Sequence, residues 1–332
     1  MESLPSSSGL LVLPWLRVQS ANAISSPLTH GFPAISAFLG LMWALERKLA
    51  GRFEIGFDSV GVICHRHEEL VTESGYTRAF RLTRNPVGKD GSTAAIVEEG
   101  RIHLEITLVF GISGGIVNQS DEARDACARE VAETLAHMRI AGGSVLPSAA
   151  GGQRAPSMLV IPEEGAEAAA LFRRLRRSWL PGFALVSRDD LVAERLVSLR
   201  GEQPKASALD AWLDLSRFNW KPESVEVRDS ETGELHSTHI EWHHDRKGWL
   251  VPIPVGYGAL SPLQSPGAIA NARDATTSFR FVESLYSLGE WVAPHRLTGI
   301  QQLLWYSHAD PDAGLYRVRN DYSLTAESTH SN

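Results

Sequence analysis

The sequence predicts an α+β fold on a ferredoxin-like, RRM-like core. Three observations point to it. An aliphatic segment opens the chain at residues 10–18, a helix-periodic segment follows at 34–50, and the order strand, helix, strand, strand, helix, strand runs across 10–147. That order is the split βαβ pattern. RNA-recognition modules use this architecture and bind on the open sheet face or on attached loops. Fold alone does not assign a function.

Residues 10–18 (Leu-Leu-Val-Leu-Pro-Trp-Leu-Arg-Val) read as a buried first strand. Pro14 lacks a donor and indicates an edge or a bulge. Residues 19–33 read as a loop, since two prolines, several serines and an asparagine oppose regular structure. Ala34–Ala50 reads as a helix, with Phe38, Leu41, Met42, Leu45 and Leu49 at helical spacing and Gly51 at its stop. Residues 54–66 form a second strand, placing Val60, Val62 and Cys64 on one face. Residues 68–100 are polar and punctuated by Gly75, Pro86, Gly88 and Gly91; they read as an insertion with short strands around 78–83. Arg101–Gly111 is a third strand, with Ile102, Leu104, Ile106 and Leu108 facing one way and Arg101, His103, Glu105 and Thr107 the other. A helix is predicted over 120–140, capped by Ser120, with Asp121 and Glu122 at its positive end. Residues 141–147 turn into the fourth strand.

Beyond this core, 147–156 reads as a loop or linker. Helices are predicted at 166–179, 189–200 and 207–218, and a short strand at 181–187. A polar loop follows at 221–236, then a hairpin turn near 245–248 between Trp242 and Trp249, then a last helix over 293–306. The division is a core over 10–147 carrying the 68–100 insertion, and an irregular C-terminal α/β elaboration over 148–325 packed on it.

Composition bounds the function. The 332 residues are 43% hydrophobic and 21% charged, as in a globular protein with a sizeable core. A net charge of −7 argues against a free-standing nucleic-acid binder, but local basic tracts decide phosphate contact. Nine Trp favour cores with a wet edge and partner interfaces. Two cysteines, Cys64 and Cys127, are too few for a disulfide scaffold, and no secretory signal precedes them. The apolar run 10–16 is too short for a membrane span. The expected compartment is the cytoplasm, with no membrane partner.

No GxxxxGK[ST], HExxH or CxxC occurs, so no cofactor and no metal are expected. Cys64-His65-Arg66-His67 supplies only two alternate ligands from a strand, short of a zinc set. His65, His67 and His103 are candidates for acid–base RNA cleavage, but nothing in their spacing pins a pair to one site.

The window 169–188 holds Arg173, Arg174, Arg176, Arg177 and Arg188 and no acidic residue. Residues 173, 176 and 177 share a helical face. Guanidinium forks suit phosphate; the same pattern suits a solvated face or a dock for an acidic partner. The insertion interleaves Arg78, Arg81, Arg84 and Lys89 with Tyr76, Phe80 and Asn85, as in grips on single strands. Asp90, Glu98 and Glu99 lie close by and fit an ordinary polar hairpin. The 19–33 loop offers Asn22, Ser25, Ser26, Thr29 and His30 without an acid, groups that bond phosphates and base edges. It also reads as a plain structured connection.

Several stretches together resemble one family: Asn22-Ala-Ile-Ser-Ser-Pro-Leu-Thr-His-Gly-Phe-Pro33, Leu82-Thr-Arg-Asn-Pro86, the segments 90–101 and 141–147, Leu180–Arg188, Gly248–Pro254, Asn271–Asp274, Arg280–Glu283 and Gly314–Arg317. They look like the Cas-five-type subunit of the type I-F CRISPR Csy complex, over roughly residues 10–320. The resemblance implies a RAMP fold, a ferredoxin-like core with a thumb-like insertion at about 68–100. It implies a non-catalytic partner of the complex's large subunit, the heterodimer holding the 5′ handle of CRISPR RNA. It implies further that the thumb reaches toward the adjacent backbone subunit, with target DNA as a candidate neighbour. Motif position and chemistry then nominate Asn22, Ser25, Ser26, Thr29, His30, Arg81, Arg84, Asn85, Lys89, Arg101, Arg173, Arg177, Arg188, Arg273 and Arg280 as RNA contacts. A repeat-processing ribonuclease and a protein-only adaptor are the alternatives. Residues 221–247 fit the family pattern poorly.

Overall fold

The computed structural model describes residues 4–323, except 85–86, 89, 94–95, 148–154, 163–164, 229–234 and 273. The fold is mixed α+β, with one large antiparallel sheet and five α-helices among the described residues.

The first part of the sheet comes from β1 (Gly9–Asn22), β2 (Gly56–Glu69), β3 (Arg101–Ser113) and β4 (Gly143–Leu146), in the spatial order β4-β1-β3-β2. Helices α1 (Ile35–Leu49) and α2 (Asp121–Ala136) cover one face. From α1, Phe38, Leu39, Met42 and Leu45 enter the core, each 1% exposed or less. Full burial of one such side chain stabilises by about 1.5–3 kcal/mol. Ser120 caps α2, its Oγ accepting from the Ala123 N–H at 3.3 Å.

The opposite face carries its own core. Leu11 and Leu13 face the α1/α2 side, while Leu10 and Val12 pack with Phe172, Leu175 and Trp179 of the α3 region (α3, Ala166–Ser178). Residues 297–304 lie on the same side. They come so close that a Cβ on Gly61 would sit 2.4 Å from Leu303 Cγ. The far end of this face, around Arg17 and Gln19, is open.

The second part extends the same sheet from β2 through β5 (Phe183–Ser187), β7 (Val282–Val292), β6 (Leu250–Ala259), β9 (Leu315–Asn320) and β8 (Trp305–Asp310). The path then returns: Trp305 of β8 pairs with Val60 of β2, so six strands form a ring. Asn320 pins this ring. Its side chain accepts from the Ser187 N–H and donates to the Gln302 and Leu304 carbonyls. Strands from both sides of residue 147 thus share one sheet. Helices α4 (Asp189–Glu202) and α5 (Ala208–Ser216) pack on each other beside β6 and β7.

Several expectations need correction. Pro14 marks a bulge and not an edge, since β1 is interior; Trp15 has φ 53° at a register shift against β3. The 19–33 segment is not all loop. β1 runs on to Asn22, and Ile24–Ser26 pairs with Thr29–His30. The second helix stops at Ala136 and not at 140. Arg139–Ile140 pairs with Gly143–Ser144 through Ala141 and Gly142, both at positive φ, which is two-residue hairpin-turn chemistry. Residues 221–236 are not simply a loop: Lys221–Arg228 pairs with Leu235–His243 in an exposed ribbon, whose polar residues suit solvent. Trp242 and Trp249 do not face each other across a hairpin; Trp242 sits opposite Pro222, and β6 pairs with β7. The last helix is absent. Pro294 and Gly299 divide the segment into turns at Pro294–Arg296 and Ile300–Gln302, and Trp305 is drawn into the ring with its indole N–H on the Leu185 carbonyl at 2.8 Å. Of the predicted linker, 148–154 lies outside the described residues.

Candidate nucleic-acid interface

Helix α3 anchors itself through Phe172 and Leu175, with Trp179 buried just beyond. This orientation divides its arginines. Arg173, Arg174 and Arg177 are exposed and line an open depression with Ala170 and Ser178. None has a carboxylate partner among the described residues. Arg176 is turned inward. It donates to the His295 and Leu297 carbonyls at 3.3 and 3.0 Å and lies over the Phe172 ring. The expected face of 173, 176 and 177 is therefore replaced by one of 173, 174 and 177.

Arg188 is committed internally. It binds Asp190 through Nε and Nη2, and Nη1 contacts the buried Glu290 carboxylate. Burial works against its charge, but the Asp190 and Glu290 carboxylates outweigh this and raise its pKa. Arg280 donates to the Pro311 carbonyl at 3.0 Å, and Arg273 lies outside the described residues.

The 24–30 hairpin and the insertion, separate in the sequence, meet at the insertion's neck. Ala23 N–H bonds to the Gly100 carbonyl, and Leu70 N–H to the Arg101 carbonyl. His30 Nδ1 lies 3.1 Å from Glu69, and its ring meets Phe80 edge-on at 5.6 Å. Within the hairpin, most polar groups bond to one another. Asn22 accepts from the Ile24 N–H and donates to its carbonyl. The Ser25 and Ser26 hydroxyls each bond to Thr29 Oγ1, at 2.7 and 2.6 Å. Ser26 and Thr29 are buried, whereas Asn22 and His30 are exposed. Arg101 forms a two-point pair with Glu99 at 3.0 and 2.7 Å. Arg81 is exposed beside Val71–Ser74 and its hairpin partner Thr77–Phe80. Only the backbone of Arg84 is described, in the Leu82–Arg84 strand; Asn85 and Lys89 lie outside the described residues.

The open end of the sheet face was missed by sequence reasoning. Arg17, Gln19, Arg66, Glu68, His103 and Glu105 line a shallow hollow there. Their signal was alternation: the three strands carry polar residues two apart at 17/19, 66/68 and 103/105.

The histidines do not form a pair. His65 has both nitrogens engaged, Nδ1 on the Pro181 carbonyl at 2.6 Å and Nε2 on the Thr107 hydroxyl at 2.7 Å. His103 Nδ1 accepts from the Ser20 N–H and its residue lines the open hollow, while His67 lines a different cavity. Burial pushes the Cys64 thiol up to about 12 and that of Cys127 to about 11, so both stay protonated at neutral pH. Among the described residues, no group of three or more His, Cys, Asp or Glu is placed to hold a metal ion. Nor is any described helix long and apolar enough to cross a membrane.

Comparison with known proteins locates this arrangement. The profile of the family described as CRISPR-associated protein (Cas_Csy2) matches residues 11–318. The CRISPR-associated protein Csy2 of Pseudomonas aeruginosa (strain UCBPP-PA14) is 47% identical over 320 residues, which cover 95% of this chain and 96% of that relative. On both counts the chain belongs to the Csy2 family of CRISPR-associated proteins.

Proposed function

We propose that this chain is a non-catalytic subunit of a type I-F CRISPR interference complex, one that holds the 5′ handle of CRISPR RNA together with the large subunit. The observation that carries the reading, given the family, is the trio Arg173, Arg174 and Arg177. Three exposed guanidiniums without carboxylate partners among the described residues offer a phosphate-binding surface on a chain of net charge −7. Arg81, His30 and Asn22 near the insertion's neck offer a second contact region. Ser26 and Thr29 act there as internal braces.

The β4-β1-β3-β2 order supports reading residues 10–147 as a ferredoxin-like RAMP core, with 68–100 as its thumb and 148–325 as an elaboration sharing its sheet. The thumb would reach the adjacent backbone subunit, with target DNA near. Exposed Phe218, Trp220, Ile240 and Trp242 support a partner-covered surface. The scatter of the candidate histidines, with His65 held by two internal hydrogen bonds and His67 and His103 lining different cavities, favours RNA holding over RNA cleavage. A cytoplasmic site of action follows from the same reading.

Co-expression with the large subunit and a synthetic CRISPR RNA tests it. A stable complex with intact RNA is expected. Cut repeat RNA would establish the ribonuclease reading instead, and assembly indifferent to a scrambled handle the adaptor reading.

A further inference from the structure

The ribbon of Lys221–Arg228 and Leu235–His243 pairs with no other strand among the described residues. Its two faces differ. Residues opposite in register share a face, and so do residues two apart along a strand. One face is charged and satisfies itself. Lys221 bonds Asp245 at 2.7 Å, His239 Nε2 lies 2.9 Å from Glu241, and His243 Nε2 lies 3.4 Å from Glu223. The other face aligns Pro222 with Trp242 and Ser224 with Ile240. Ring contacts extend it to the ribbon's base. There His244 meets Phe218 at 5.1 Å and Trp220 at 4.7 Å, both edge-on, and the Arg246 guanidinium lies 4.5 Å from the Phe218 centroid.

Phe218, Trp220, Ile240 and Trp242 on this face are 54–64% exposed. An isolated two-stranded ribbon is at best marginally stable in water, and cover for its apolar side stabilises it. The polar groups say what cover fits. From Ser224 to the base, this face carries no carboxylate among the described residues. Arg246 has no ion pair or hydrogen bond there. Burial lowers its pKa with no carboxylate to offset it, unlike Arg188. The indole N–H groups of Trp220 and Trp242 and the Nδ1 of His244 also have no partner among the described residues. A face of Trp, Phe and Arg without Lys, Asp or Glu has the composition of a protein–protein interface core. A single RNA strand fits it less well. The face is on the order of 20 Å long, at ~3.4 Å per residue. A strand of that length would set several phosphates against one free guanidinium.

We propose that the large subunit covers this face with an apolar segment that brings a carboxylate to Arg246 and acceptors to the Trp220 and Trp242 indoles. The inference rests on the heterodimer reading above and adds the docking element and the charge it selects. The aromatic rings anchor the segment, and Arg246 fixes its register through a charge-assisted bond. The self-paired charged face stays in solvent, and the α3 arginines remain free for RNA.

The test assembles the full chain with the large subunit, the backbone subunit and CRISPR RNA. With Trp242→benzoylphenylalanine, ultraviolet light is expected to crosslink the chain to one large-subunit peptide that contains Asp or Glu. Trp220→Ala and Trp242→Ala should each weaken binding of the large subunit roughly 30-fold. The melting temperature of the isolated chain should stay within a few degrees, since both side chains are exposed. Trp242→Phe keeps a ring and restores part of the affinity. Arg246→Glu should weaken binding likewise, and replacing the crosslinked carboxylate by Lys in the partner should restore it. If native chain and large subunit do not associate, the heterodimer reading fails and this inference with it. If they associate and the Trp variants bind as tightly as native protein, the ribbon is refuted as the docking element while the heterodimer reading stands. Crosslinks from residue 242 to the RNA, the backbone subunit or a second copy of this chain would overturn the proposal.

Discussion

The imidazole of His65 lies flat against the indole of Trp15, ring centroids 3.8 Å apart and planes within 10° of parallel. The bonds around this stack run in one direction. Trp15 N–H donates to Thr107 Oγ1, the Thr107 hydroxyl donates to His65 Nε2, and His65 Nδ1–H donates to the Pro181 carbonyl. One side chain thereby ties β1, β2 and β3 to the turn that leads into β5. Two hydrogen bonds and a ring stack are lost together in His65→Ala. Destabilisation of about 2–4 kcal/mol is expected in urea unfolding, with handle RNA left uncut in either protein.

The arginines of α3 separate by role. Reversal of charge in R173E/R174E/R177E is expected to lower the log–log salt slope of RNA binding by roughly 2, at about 0.7 per lost phosphate contact on a single strand. Thermal stability should stay within a few degrees. Arg176→Ala should do the opposite, lowering the melting temperature through the freed His295 and Leu297 carbonyls and sparing affinity. Equal affinity for native and triple-variant protein at moderate salt would discard the α3 surface as an RNA contact.

Arg188→Ala leaves Glu290 buried, its side chain 4% exposed, without its bonded guanidinium and with only Arg296, at 4.0 Å, as a cationic neighbour among the described residues. Stranding one member of a buried pair costs about 3–5 kcal/mol. A soluble, fully stable Arg188→Ala protein in calorimetry would contradict this.

Asp58 supplies a pH test. Burial raises its carboxyl above the ordinary value, against the Ser113 and Ser7 hydrogen bonds that lower it. The native state therefore holds this proton more tightly than the unfolded chain does. Its favourable contribution is full below the ordinary carboxylate pKa and is lost as pH rises through the raised value. Asp58→Asn should melt higher than the native protein at pH 7, with the gap closing near pH ~4. A constant gap between those pH values would show that ionisation plays no part.

Legibility followed locality. Phe38 to Leu49 announced α1, and Ile102 to Leu108 announced β3, because each period lies within one segment. β6 is absent from the predicted elements, and its Pro252, Pro254, Gly256 and Gly258 are residues that strands disfavour. It tolerates its prolines because β9 pairs only with 256–258, which leaves the proline stretch with β7 as its one neighbour. Gly256 is required where it stands: its φ is 148°, and a Cβ would lie 2.0 Å from the Tyr316 carbonyl oxygen. For the site, charge counting found Arg173 and Arg177 but also Arg188, whose partner Glu290 is a hundred residues away and invisible to any local window. The cavity that His67 lines draws on segments from Phe32 to Trp291, and no spacing rule links them.

The ring through β2 also sets a schedule for synthesis. When β3, which ends at Ser113, has paired with one side of β2, the strand that takes its other side, β5, which ends at Ser187, has still to be made, roughly 4–15 s of translation. During that interval the nascent chain carries an apolar strand with one edge unclaimed, a template for pairing with another chain. Closure through Trp305 comes later still. The β2 edge is thus the seam open to mispairing during synthesis, and chains released before residue 305 are the ones expected in inclusion bodies.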